Sequence, residues 1–154
     1  MTDHDDGDYT DHDWGAFPNT VLYFHDEHET TIDLRDSVTA FTLARLARVG
    51  LTEPFGVVTA YNPYGLPRPK VMNEAREGRL LAALSLNGWT WLPVDGCSPN
   101  RAHCEPSVAI IAPLDELRAL AIEHEQLAIF WFDGTQFWII PARSSGPETP
   151  LPLR

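Results

Sequence analysis

Apolar and polar positions change period along this chain often enough to mark out its elements. Thr20–His25 and Thr30–Leu34 are short β-prone runs separated by Asp26-Glu27-His28-Glu29, the pattern of a hairpin with a four-residue loop. Asp36 or Ser37 is placed to cap a helix in which Val38, Phe41, Ala44/Arg45 and Val49 approximate an apolar stripe, ended by Gly50. Phe55–Tyr61 is a largely apolar run stopped by Asn62-Pro63, as for an inner strand broken by a turn. A Pro-stiffened loop, Asn62–Pro69, leads into a second helix from Lys70 to Asn87, closed by Gly88. Trp89–Val94 and Ser107–Ala112 read as strands flanking a long loop, Asp95–Pro106, and Leu114–Glu125 reads as a third helix. Leu127–Phe132 and Gln136–Ile140 flank Asp133-Gly134, a pair that accepts the positive φ of a tight hairpin turn.

This order predicts an α+β fold, an α/β-type sandwich whose mixed β-sheet carries helices mainly on one face. Residues 19–141 form the single domain. An acidic arm without periodicity, residues 1–18, precedes it and reads as disordered, and a loose Pro-rich tail, residues 142–154, follows it.

The second helix interrupts its own pattern. Asn73, Arg76 and Glu77 fall in line with Leu80, Leu81 and Leu84, so the stripe that buries the leucines turns Asn73 and Glu77 inward as well. A buried polar group without a partner costs about 1–3 kcal/mol by mutational measures, which makes these positions candidates for use. The strand end at Asn62 and the helix start bring backbone N–H groups and a positive dipole end beside Asn62, Asn73 and Arg76, an arrangement suited to an anion. Glu105, held extended by Pro106 at the mouth of a strand, is a candidate general base or a partner for Arg76. Gln126 and His124 lie where the third helix joins its strand and reach the same end of the sheet if that join is on the same side. A structural reading stands beside this one: Asn62 shapes a turn, Asn73 ties the loop to the sheet, and Glu105 pairs with Arg76 or Asn73.

Thr59-Ala60-Tyr61-Asn62-Pro63, then Asn73 and Arg76 ahead of Leu80 and Leu84, then Val94-Asp95-Gly96, Glu105-Pro106-Ser107 and Gln126-Leu127-Ala128-Ile129-Phe130, together resemble a bacterial family known as domain of unknown function 3293. The likeness runs over about residues 55–138. It implies a small cytoplasmic bacterial protein of α/β type with these polar positions in common, and it supplies no activity, cofactor or substrate. After Asn-Pro the family favours a small aromatic and a Gln or Ser, where this chain has Tyr64-Gly65-Leu66-Pro67.

Charge narrows the function classes. The net charge is −11, but residues 1–36 hold 11 of the 22 acidic side chains and only one basic one, Arg35, so the rest is close to neutral. With no basic patch, direct nucleic-acid binding is not expected, and no apolar run reaches the roughly 18 residues of a membrane span. The acidic amino terminus does not read as a secretory signal, so the expected location is cytoplasmic and Cys97 and Cys104 are expected as free thiols. Cys97, His103 and Cys104 lack the paired spacing of a zinc site, and no metal centre is assigned.

The reading that follows is a pocket at one end of the sheet for a small or nucleotide-like anionic ligand. Asn62, Asn73, Arg76 and Gln126 bind it, and Glu105 accepts a proton or hydrogen bond. The alternative is a protein-interaction module in which the acidic arm and the hairpin recruit a basic protein partner while the polar cluster braces the fold.

Overall fold

The hairpin predicted near the amino end forms as β1 (Val21–Phe24) and β2 (Thr31–Asp33), in a computed structural model that describes residues 15–143 and 148–153. Besides two 3-10 helical turns, Phe17–Asn19 and Pro63–Gly65, the remaining elements are α1 (Ala40–Arg48), β3 (Phe55–Thr59), α2 (Lys70–Asn87), β4 (Thr90–Cys97), β5 (Cys104–Ile111), α3 (Leu114–Glu123), β6 (Ala128–Phe132), β7 (Phe137–Pro141) and β8 (Thr149–Leu151). The strands make one sheet in the order β2-β1-β4-β5-β3-β6-β7-β8.

The α+β class is as expected, but among the described residues every strand pair is antiparallel, so the sheet is not mixed. Each helical crossover skips one strand. α2 carries the chain from β3 past β5 to β4, and α3 carries it from β5 past β3 to β6, which is the split βαβ arrangement in duplicate. β1 and β2 extend this unit at one edge, and β7 and β8 at the other.

α2 and α3 cover one face, where Leu80, Leu84, Leu117 and Leu120 pack on Val58, Val108, Ile110 and Ile129. Gly56 makes the close approach possible, since a Cβ there would lie 2.6 Å from Leu117 Cδ1. The opposite face packs Leu22, Phe24, Ile32, Val57 and Phe132 with Leu46 of α1. α1 leans on β2 at the edge and leaves the middle of this face without an α-helix over it.

Four local expectations change. α1 starts later than Asp36 or Ser37 because Thr39 and Thr42 cap each other, the Thr42 hydroxyl accepting from Thr39 N–H at 3.0 Å. Its buried face holds Leu46 rather than Phe41, which is 77% exposed. β4 and β5 stay paired through Asp95, Gly96, Glu105 and Pro106, so the long loop shrinks to residues 98–103. That pairing sets Cys97 opposite Cys104 with Cα atoms 4.1 Å apart, and the two form a disulfide in place of the expected free thiols.

Residues 1–14 of the acidic arm lie outside the described residues, whereas Phe17 and Pro18 belong to the fold: Pro18 is buried and the Phe17 ring meets Phe130 at 5.6 Å. Within the tail, Thr149–Leu151 pairs with β7. No helix among the described residues is long and apolar enough to cross a membrane.

Candidate functional site

The uncovered middle of the sheet holds a cavity of about 200 Å3. Strand alternation explains its position. On this face, neighbouring strands present Gly96, Ser107, Thr59 and Ala128, small side chains where other rows carry Leu, Val or Phe. Gly96 is the telling one: a Cβ there would make ordinary contact with Thr20 Cγ2 at 3.6 Å and Ser107 Oγ at 4.0 Å, so the strand tolerates a larger residue and the glycine leaves space. Phe17, Phe130 and Leu127 form apolar walls, and Asn62, Glu105, His103 and Gln126 contribute the polar rim.

Asn62 is fixed at that rim from behind. It sits in the left-handed region with φ 49°, which asparagine tolerates better than most residues. Its N–H donates to Asn73 Oδ1 at 2.9 Å, and its own Oδ1 accepts from Asn73 Nδ2 at 2.9 Å and from Arg68 N–H at 3.1 Å. The Asn62 amide then donates to Glu105 Oε2 at 2.9 Å, while His103 Nε2 stands 3.5 Å from that same oxygen. Glu105 Oε1 has no hydrogen-bond partner among the described residues. The Ser107 hydroxyl, also in the lining, donates to the Glu105 carbonyl at 3.1 Å.

Asn73 is buried as the sequence pattern requires, but it does not reach the cavity. Nor does Arg76, whose side chain is only 11% exposed. The guanidinium donates from Nε to Ala60 O at 3.0 Å and from Nη2 to His124 O at 2.8 Å, and Nη1 meets Glu125 Oε1 at 3.1 Å. This fork locks the end of β3 to the end of α3. Gln126 adds to the lock by donating to Tyr61 O at 3.1 Å and His124 O at 3.3 Å, while its side chain faces the rim. The amino end of α2 also lies outside the lining, with Lys70 and Val71 exposed.

The structure therefore brings Asn62, Glu105 and Gln126 to one cavity, and leaves Asn73 and Arg76 as their supports. Sequence reasoning missed Thr59, Gly96, Ser107 and Phe17. Thr59 and Ser107 are small polar residues inside apolar strands, a signal that was present; the Phe17–Phe130 contact spans more than a hundred positions and had none.

On the helix face, burial and the neighbouring Asp95 and Glu74 push the Glu77 carboxyl above its usual range. Burial, with Glu77 as the leading charge, likewise raises the Tyr61 phenol. No group of three or more His, Cys, Asp or Glu among the described residues is arranged to hold a metal ion.

Residues 58–129 match the model of a family described as "Protein of unknown function (DUF3293)". The matched span runs from β3 to β6 and carries Asn62, Glu105 and Gln126. No curated protein and no solved structure matches the chain.

Proposed function

We propose that this chain, whose residues 58–129 match the DUF3293 family of proteins of unknown function, is a small-ligand binding domain whose site is the cavity on the uncovered sheet face. The observation that carries this reading is the combination of small floor residues with a braced polar rim. A sheet face closed only for stability gains from filling such a space, because voids forfeit contacts. Here Gly96 leaves the space open although a Cβ fits.

The dimensions limit the ligand. A cavity of about 150 Å3 takes a benzene ring, whereas drug-sized ligands occupy about 300–1,000 Å3. At about 200 Å3 the space suits one ring with a short substituent, and a nucleotide is too large to be enclosed. Asn62 and Glu105 orient the substituent in this reading, Gln126 holds the rim, and Asn73 and Arg76 keep those residues in place.

A titration of single-ring fragments followed by amide NMR tests it. Saturable shifts that converge on Asn62, Gly96, Ser107 and Phe130 are expected, and a Gly96→Val variant, folded but with the floor raised, should lose them. Shifts scattered over the surface, or unchanged in Gly96→Val, would discard the cavity as the site.

A further inference from the structure

We infer that the ligand is an organic cation, a primary amine or amidinium carried on one flat apolar ring. This rests on the cavity being the binding site and names the class of ligand it takes. Among the described lining residues, the one carboxylate is Glu105, and no lysine or arginine is present to oppose it. Its Oε2 is engaged by Asn62 and its Oε1 has no hydrogen-bond partner among the described residues, so an ammonium or amidinium N–H has an acceptor already oriented by the Asn62 amide. A charge-assisted hydrogen bond of this kind is roughly twice as strong as a neutral one.

Arg76, the residue that the sequence pattern offered as an anion's counter-charge, is spent elsewhere. Arg76 delivers its guanidinium to Ala60 O, His124 O and Glu125, away from the lining. An anion in the cavity therefore meets a carboxylate without a compensating arginine. His103, 70% exposed, is the one basic side chain at the rim, and it lies against the oxygen that Asn62 also holds. The apolar body has its own partners in Phe17 and Phe130, whose ring faces also attract cations.

The test uses the full chain and three probes of one shape: benzylamine, benzyl alcohol and benzoate. Benzylamine should bind at least tenfold more tightly than benzyl alcohol, and benzoate should not saturate. Glu105→Gln, which keeps an oxygen for Asn62, should bring benzylamine and benzyl alcohol to within about twofold of each other. Equal affinity for the amine and the alcohol, or tighter binding of benzoate, overturns the cationic class and leaves the cavity as a site. Failure of all three probes to shift the cavity resonances overturns both.

Discussion

Asn62 and Asn73 hold each other through two reciprocal hydrogen bonds, backbone N–H to Oδ1 and Nδ2 to Oδ1, each 2.9 Å. The pair joins the loop after β3 to the first turns of α2, and a third bond, from Asn73 Nδ2 to Arg68 O, closes the loop at 3.3 Å. Replacing Asn73 by Ala leaves the half-buried Asn62 N–H and Arg68 O without these partners and takes one of two donors from Asn62 Oδ1, which should cost about 2–3 kcal/mol. Asn73→Asp keeps the acceptor but sets a carboxylate oxygen against Asn62 Oδ1 and Arg68 O where the amide donated, so it should be no more stable than the Ala variant. Urea unfolding of the three proteins checks the order. An Ala variant as stable as the parent would show that the pair contributes nothing to folding.

Arg76 makes a contrasting prediction, because its partners differ in exposure. Ala60 O and His124 O are served inside the structure, whereas Glu125 is 45% exposed. Arg76→Met should lower stability by about 2–3 kcal/mol. Arg76→Lys should recover less than half of that, since an ammonium cannot fork to two carbonyls in fixed directions. Glu125→Gln should cost under about 1 kcal/mol, as expected of an exposed ion pair. Thermal unfolding of the three variants at equal concentration compares them directly, and a loss in Glu125→Gln matching that in Arg76→Met would reverse this assignment.

The helix limits of α2 and the hairpin at Asp133 were legible in sequence because local chemistry decides them. Gly88 adopts φ 70° at the end of α2, and Asp133 Oδ1 accepts from Thr135 N–H, Gln136 N–H and the Thr135 hydroxyl, with Trp138 Nε1 on Oδ2. The burial of Asn73 was legible for the same reason, as helical period alone turns it inward. The cavity was not. It depends on Gly96, Ser107 and Ala128 meeting across strands separated by two crossovers, and on Phe17 closing the wall from a region without periodicity. Arg76 shows the limit most clearly: its spacing gave its depth correctly, while the direction of its fork was set by the far end of α3.

The disulfide overturns an expectation based on compartment, and it too yields a number. Cys97 and Cys104 close a short loop at the tip of the β4–β5 hairpin, with a sequence separation of 7. The chain-entropy relation gives about 2.5 kcal/mol for a loop of about eight residues. Reduction under native conditions should lower the stability by roughly that amount, and a Cys97→Ser/Cys104→Ser double variant should match the reduced parent. A thiol assay on the folded, unreduced protein should find no reactive cysteine. Stoichiometric thiols in that assay would restore the free-cysteine reading.

His124 sets the acid side of the stability profile. It is 7% exposed, and its Nε2 is buried without a hydrogen-bond partner, so burial first, with Arg76 and Arg79 adding to it, holds the imidazole below its usual range against the opposing pull of Glu123. The folded state then resists the proton that the unfolded chain accepts near pH 6.5. Stability should fall as pH drops below that value and level out below the folded-state pKa. Glu77 acts in the opposite sense, because its raised pKa makes the folded state take up a proton above pH 4.5. The difference between the parent and His124→Phe removes that common contribution. Phe fills the site without the orphaned nitrogen, so the variant should be at least as stable as the parent at pH 8. It should also lose less stability between pH 7.5 and pH 5.5. Parallel pH profiles for the two proteins in urea titrations would show that His124 titrates alike in the folded and unfolded chains.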